Sequence, residues 1–198
     1  MICTTRHLIQ PVLLSAALLL GGCSILPEAE PQTRYDLPAA PMAALQQNKE
    51  HSLYVATPNA NRLINSNRVI VQPDGSEMQV YKGTQWADNA PVILRDRLVQ
   101  ALHDAQLFQA VSTDAAVKTK WALESYLRHF QVQYRQQQPV VVVQLEAQLV
   151  DRAQSIIQRS QRFVIEQPAT STDIPAVIQA FGMAGDQLSQ QLLQWLAQ

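Results

Sequence analysis

The hydrophobic and polar positions between residues 51 and 168 alternate with a period of two in several runs. This alternation is typical of strands that bury one face. Leu53 and Val55 mark the first such strand. The turn sequence Pro73-Asp74-Gly75-Ser76 then predicts a hairpin over residues 67–82, because proline fixes one dihedral angle and glycine accepts a positive one.

Three longer strands form a predicted meander after residue 120. The apolar residues of the first of them change phase by one position between Leu127 and Phe130. A slip of one residue would turn every later side chain to the other face, so we expect a β-bulge near Arg128-His129. The second strand covers Pro139 to Val150, and the third ends before Pro168.

Two segments have a helical period instead. Apolar residues spaced three and four apart after Pro91 predict an amphipathic helix that ends near Gln106. Asp88 or Asn89 is placed to cap this helix by accepting amide protons of its first turn, where proline is tolerated.

The second helix is predicted over Thr172 to Gln198. Its apolar stripe, which includes Phe181 and Trp195, favours a core contact, with a subunit interface as the alternative. Gly182 and Gly185 each cost about 1 kcal/mol in a helix interior, which indicates either a close backbone contact or a kink. Together the elements predict one α+β domain over residues 51–198, with a mixed, largely antiparallel sheet covered on one side by two amphipathic helices.

The first 22 residues have the pattern of a secretory signal. The apolar run Val12 to Leu20 follows Arg6 and is too short for a helix that spans a bilayer. Leu20-Gly21-Gly22-Cys23 resembles a bacterial lipobox, in which the cysteine is acylated and becomes the first residue of the mature chain. Cys23 is therefore the predicted lipidation site, and two or more acyl chains would anchor the protein without spanning the membrane.

Residues 23–50 are interpreted as the lipidated cysteine and a proline-rich tether. Four prolines in this segment disfavour continuous helix or central strand. The short patch Arg34 to Leu37 is the exception, and we interpret it as an edge strand or a docking segment.

Composition and charge exclude several classes of function. The chain carries 15 basic and 16 acidic residues, and this near balance gives no indication of a nucleic-acid partner. The three histidines after the signal, His51, His103 and His129, have no metal-ligand spacing. There is also no GxSxG motif and no phosphate-binding glycine loop, so we expect neither an enzyme nor a bound metal or cofactor.

Three residues are candidates for partner binding. Trp86 and Asp88 could form a hot spot, since tryptophan is enriched in such contacts. The pattern favours the other interpretation, in which Trp86 packs under a helix that Asp88 caps. Tyr134 begins a glutamine-rich hairpin tip. We interpret this tip as a solvated loop, and the alternative is that it contacts a partner.

The order of several motifs resembles one known family. The motifs are, in chain order, the lipobox, the patch Arg34 to Leu37, Asn61-Arg62-Leu63-Ile64, Tyr81-x4-Trp86-Ala87-Asp88-x2-Pro91 and Phe108-x2-Val111. In this order they resemble the ABC-type transport auxiliary lipoproteins, the PqiC-like family, although Asn89-Ala90 is an insertion relative to the usual pattern.

The resemblance implies a non-catalytic periplasmic component of a system that moves lipids between the inner and outer membranes. It also implies docking with an MCE-domain protein and allows a homo-oligomeric ring. Ser24, where an aspartate would favour retention in the inner membrane, favours anchoring to the periplasmic face of the outer membrane. The alternative is a structural or assembly lipoprotein that partners an outer-membrane β-barrel.

Overall fold

A computed structural model describes residues 31–45 and 49–198 of the chain. Cys23 and the predicted signal over residues 1–22 lie outside the described residues. The described elements, in chain order, are β1 (Thr33–Tyr35), β2 (Lys49–Val55), β3 (Asn59–Ala60), β4 (Arg68–Gln72), β5 (Gln79–Trp86), α1 (Ala90–Ala105), β6 (Phe108–Ser112), β7 (Trp121–Arg135), β8 (Gln138–Asp151), β9 (Ile156–Pro168) and α2 (Ile174–Ala197).

The described strands join one mixed sheet with β7 at its centre. β8 pairs antiparallel along one side of β7, and β9 continues that side as an antiparallel neighbour of β8. On the other side, β2, β3 and β4 pair in parallel with successive parts of β7. β6 flanks β2, while β5 and then β1 lie beyond β4. The long ladders are thus antiparallel and the α+β prediction is confirmed.

Two local predictions for the strands are confirmed. Gly75 adopts a φ of +50° in the turn between β4 and β5, which form the predicted antiparallel hairpin. The register of β7 against β8 shifts between Leu127 and His129. This bulge lets Leu127 and Phe130, which are three residues apart, both bury their side chains in the core.

The first helix begins and ends where the sequence predicts, but its side-chain cap is absent. The Asp88 carboxylate accepts a hydrogen bond from the backbone N–H of Asn89 at 2.6 Å rather than from the helix. The reason is that the first amides already have partners. The N–H of Ala90 donates to the Ser66 carbonyl, the next residue is a proline, and the N–H groups of the following two residues donate to the Asn89 carbonyl.

An aromatic cluster joins the sheet to the second helix. Trp86 on β5, Phe130 on β7 and Phe181 on α2 have ring centroids 4.8 to 5.7 Å apart, and all three side chains are buried. Phe181 and Leu188 of the predicted stripe have no exposed surface. The core interpretation of that stripe is therefore confirmed. Neither helix of the described residues combines the length and hydropathy that crossing a bilayer requires.

The compact unit begins at Gln32, upstream of the boundary expected at residue 51. β1 pairs in parallel with the end of β5, which confirms the edge-strand interpretation of the Arg34 to Leu37 patch. Leu37 is buried in the core, with 7% of its surface exposed. Prolines prevent regular structure in the residues that follow, but they do not prevent those residues from packing against helices.

Candidate functional site

The structure places Trp86 inside the protein rather than on a docking surface. Its side chain has no exposed surface, so it cannot itself contact a partner. Its indole N–H has no hydrogen-bond acceptor among the described residues. The interpretation of Trp86 as a packing residue at the start of the helix is the one that the geometry supports.

Asp88 and Tyr134 are not brought together. β4 lies between them: its first residue, Arg68, pairs with Gln85, and its last residue, Gln72, pairs with Gln133. Asp88 follows β5 near the first of these pairs, and Tyr134 adjoins the second. The two candidates therefore belong to opposite ends of the sheet and do not form one site.

The end of the sheet that holds Tyr134 has the geometry of a contact surface, and we call it the tyrosine end. The hydroxyl groups of Tyr134 and Tyr81 lie 3.4 Å apart. Burial, followed by the hydrogen bond with Tyr134, raises the pKa of Tyr81 above its ordinary value. Tyr81 therefore stays neutral at physiological pH. The exposed side chains of Met78 and Val80 lie on the same hairpin as Tyr81.

Two turns line an open depression at the tyrosine end. It has a volume of about 400 Å³, and Pro73 and Asp74 from the first turn and Tyr134, Gln136 and Gln137 from the second line it. Amide and hydroxyl groups can donate and accept hydrogen bonds there, beside apolar surface. This mixture of polar and apolar groups suits contact with a protein.

The second arrangement is formed by residues 35–45, which we call the strap. Its first carbonyl, that of Tyr35, accepts a hydrogen bond from Ala87 N–H at 2.8 Å, and its last amide, that of Leu45, donates to the Ala105 carbonyl at 2.9 Å. Between them, Met42 N–H donates to the Asp104 carboxylate at 3.1 Å. The strap is thus tied to both ends of α1.

An ion pair between a buried arginine and a partly exposed aspartate fixes the middle of the strap. Arg97 on α1 donates from Nε to the Asp186 carboxylate on α2 at 3.0 Å, and from a terminal nitrogen to the Ala40 carbonyl at 3.0 Å. The same carboxylate accepts the Ala40 N–H at 3.2 Å. The Arg97 side chain is only 1% exposed. One acid and one base therefore hold two helices and the strap together.

The two glycines of α2 face this strap. A Cβ at Gly182 would come within 2.8 Å of the Pro38 Cβ, and one at Gly185 would come within 3.4 Å of a Leu37 methyl group. The close-contact interpretation of the glycines is correct at Gly182. The partner is the strap, a segment that the sequence pattern assigned to the tether.

The described residues hold no candidate metal centre. No three of their histidine, cysteine, aspartate and glutamate side chains are placed to share an ion. His51 and His103 are exposed and His129 is half-buried.

A family comparison agrees with this architecture. The family described as "ABC-type transport auxiliary lipoprotein component" matches residues 35–192. The chain belongs to this family. The match begins at Tyr35, the residue at which the strap begins, so the strap is part of the family domain.

Solved structures share the fold. Protein XCC0632 from Xanthomonas campestris, of family DUF330, is 31% identical with a TM-score of 0.77, over 82% of this chain and 93% of that chain. An uncharacterized protein is 16% identical with a TM-score of 0.66, over 84% and 99% of the two chains. Hypothetical protein CT253 from Chlamydia trachomatis is 6% identical with a TM-score of 0.53, over 75% and 96%. No curated protein matches the chain.

Proposed function

We propose that the protein is a non-catalytic auxiliary lipoprotein of an MCE/ABC-type lipid transport system. In this proposal, acyl chains on Cys23 hold it at the periplasmic face of the outer membrane, and the folded unit docks an MCE-domain protein. The observation that carries the proposal is the family match over residues 35–192, which spans the strap, the sheet and nearly all of α2.

The strap supports the anchoring part of the proposal. Thr33 lies ten positions after Cys23, and a fully extended chain of that length reaches about 35 Å. Because the strap is tied to α1 and α2, the slack between the acyl chains and the folded unit is limited to this short segment. The anchored domain would stand close to the leaflet, in reach of a partner that arrives at the membrane.

The tyrosine end supports the docking part. Tyr134, the sequence candidate for partner contact, lies there beside exposed Met78 and Val80. Tyrosine and methionine are enriched in protein interfaces, and lysine and glutamate are depleted. We therefore assign the MCE-domain protein to this end of the sheet.

The anchoring test compares the two cysteines of the full chain. Expressed in a bacterium with two membranes, the wild-type protein and a Cys3→Ala variant should lose residues 1–22, gain the mass of a triacylated cysteine and sediment with outer membranes. A Cys23→Ala variant should keep its signal and gain no acyl mass. An unmodified wild-type protein free in the periplasm would contradict the proposal.

The docking test uses site-specific crosslinking in the same cells. A photoreactive residue at position 134 should crosslink to an MCE-domain protein, while one at Tyr126, on the meander away from the tyrosine end, should not. Capture of an outer-membrane β-barrel instead would favour the structural or assembly alternative. Equal capture of the MCE protein from positions 134 and 126 would contradict a docking surface at the tyrosine end.

A further inference from the structure

A second concave surface lies at the other side of the sheet and has a different chemistry. It is a cleft of about 500 Å³ where the start of β2, the start of β6 and the C-terminal end of α2 converge. Phe108, Trp121, Leu149 and Leu196 give it apolar walls. Trp121 is half-buried, and the other three side chains are buried. Its size falls in the range of about 300–1,000 Å³ that is usual for small-molecule sites.

Two cations face this cleft without a partner acid. Lys49 and Arg159 both line it and both are half-buried. Neither forms an ion pair with any carboxylate of residues 31–45 and 49–198. Glu50 also lines the cleft, but it is exposed and bridges to neither cation. Gln198 also lines the cleft, and its terminal carboxylate forms an ion pair with neither cation.

The two charges act on each other. Burial, followed by repulsion from Arg159, lowers the pKa of Lys49 below its usual value of 10.5. Like charges that lie near each other repel, and an anion between them removes this repulsion. Arg159 is also held in place, because it donates to the Trp195 carbonyl at 2.9 Å and lies 5.0 Å from the centroid of that ring. The arginine therefore cannot swing into solvent without breaking these contacts.

We propose that this cleft binds a single-chain anionic lipid. The carboxylate or phosphate of the lipid would lie between Lys49 and Arg159, and its one alkyl chain would lie on Phe108, Trp121 and Leu149. Charge complementarity selects an anion, and the apolar walls select a chain.

This binding site goes beyond the proposed docking function and does not depend on it. The cleft is formed by β2, β6, the start of β7, β8, β9 and α2, whereas the tyrosine end is formed by the β4–β5 and β7–β8 turns. Loss of lipid binding would leave anchoring through Cys23 and docking at Tyr134 unaffected, so the two proposals fail separately.

The test uses Trp121 as a built-in reporter. The full-length protein is purified from membranes into an amphipathic polymer, which leaves no detergent monomer to compete, and is titrated with dibromostearate. Bromine quenches indole fluorescence only at contact. We expect saturable quenching in the wild type and its loss in Trp121→Phe, which removes the reporter while keeping an apolar wall.

Two lysine variants measure the contribution of charge. Lys49→Gln should weaken the binding of dibromostearate about tenfold, because a charge-assisted hydrogen bond is lost. Lys82→Gln, a matched change on the exposed face of β5, should leave the affinity unchanged. Lys49 is preferred to Arg159 for this purpose because Arg159 also holds the end of α2.

Four outcomes would overturn the proposal. They are quenching that is undiminished in Trp121→Phe, equal affinities for wild type and Lys49→Gln, equal quenching by a brominated alkyl maltoside without charge, and displacement of dibromostearate by inorganic phosphate alone. The last two outcomes would show a purely apolar groove and a simple anion site, respectively. The proposal is supported if dodecyl phosphate displaces dibromostearate and neither dodecyl maltoside nor inorganic phosphate does.

Discussion

Gly182 of α2 and Pro38 of the strap lie in direct backbone contact. A Cβ built on Gly182 would approach both the Cβ and the carbonyl oxygen of Pro38 to 2.8 Å. Real Cβ atoms do not tolerate such an approach to a backbone atom, so one of the two segments would have to move. A glycine inside a helix is thereby explained by a segment more than 140 residues away in the chain.

The first prediction concerns this contact. Gly182→Ala should lower the free energy of unfolding by about 1–3 kcal/mol, because overpacking against Pro38 outweighs the helix propensity that alanine adds. Gly185→Ala is the matched control. Its Cβ would meet a flexible Leu37 methyl group at 3.4 Å, so it should be neutral or slightly stabilising. Urea unfolding curves measure both, and equal losses would contradict the close contact with the strap.

The second prediction concerns the ion pair that fixes the strap. Asp186→Ala should cost about 3 kcal/mol of unfolding free energy, because it leaves the Arg97 guanidinium buried without its counter-charge. The Arg95–Asp96 pair on α1 is the surface comparison, with Asp96 59% exposed. Asp96→Ala should therefore cost less than about 1 kcal/mol. Limited proteolysis of the strap gives a second readout, and it should accelerate only in Asp186→Ala.

The third prediction concerns the indole of Trp86. Trp86→Phe removes a buried N–H that has no acceptor among the described residues, and it also removes part of a well-packed ring. The two effects oppose each other, so the net change in unfolding free energy should be within about 1 kcal/mol. Trp86→Ala leaves a large cavity beside Phe130 and Phe181 and should cost about 3–5 kcal/mol.

Crosslinking from position 134 shows whether a Trp86 variant affects only the packing of the core or also the binding of the partner. Trp86→Phe should leave the crosslink to the partner unchanged, since Trp86 has no exposed surface. A folded Trp86→Phe protein that no longer captures its partner would assign Trp86 a direct role in binding.

The fourth prediction concerns acid. The hydrogen bond from Lys120, aided by the backbone N–H groups of Gln154 and Ala153, holds the pKa of Asp151 below its usual value of 3.8. A carboxyl whose pKa is lower in the folded state stabilises the fold above its unfolded pKa, and this contribution is lost as the pH falls through the folded pKa. Wild type should therefore lose stability below about pH 4.

Two variants test this assignment. The difference in unfolding free energy between wild type and Asp151→Asn should shrink as the pH falls from about 5 to about 2. Lys120→Gln removes the largest cause of the shift and should flatten the same dependence. Parallel curves for wild type and Asp151→Asn over this range would contradict the assignment.

Local patterns in the sequence determined most of the secondary structure. The slip of apolar phase after Leu127 required a bulge because strand side chains alternate, and the register shift lies there. Pro73 to Ser76 and Pro91 acted through backbone angles that do not depend on the rest of the chain. The family follows from the same order of motifs, since residues 35–192 match it.

Contacts between distant segments were decided only by the tertiary structure. At the start of α1, the Ala90 N–H donates to the Ser66 carbonyl, and Asp88 does not cap the helix. The reason is that the β3–β4 connection lies over the helix start. The glycine pair of α2 and the Arg34 to Leu37 patch were the sequence signals for the strap, and neither identified Pro38 as the residue that Gly182 contacts. Lys49 and Arg159 are 110 positions apart and share a cleft only because β2 and β9 begin beside the C-terminal end of α2. Periodicity reports which face of an element is buried, but it carries no information on what covers that face, because many segments of equal hydrophobicity compete for it.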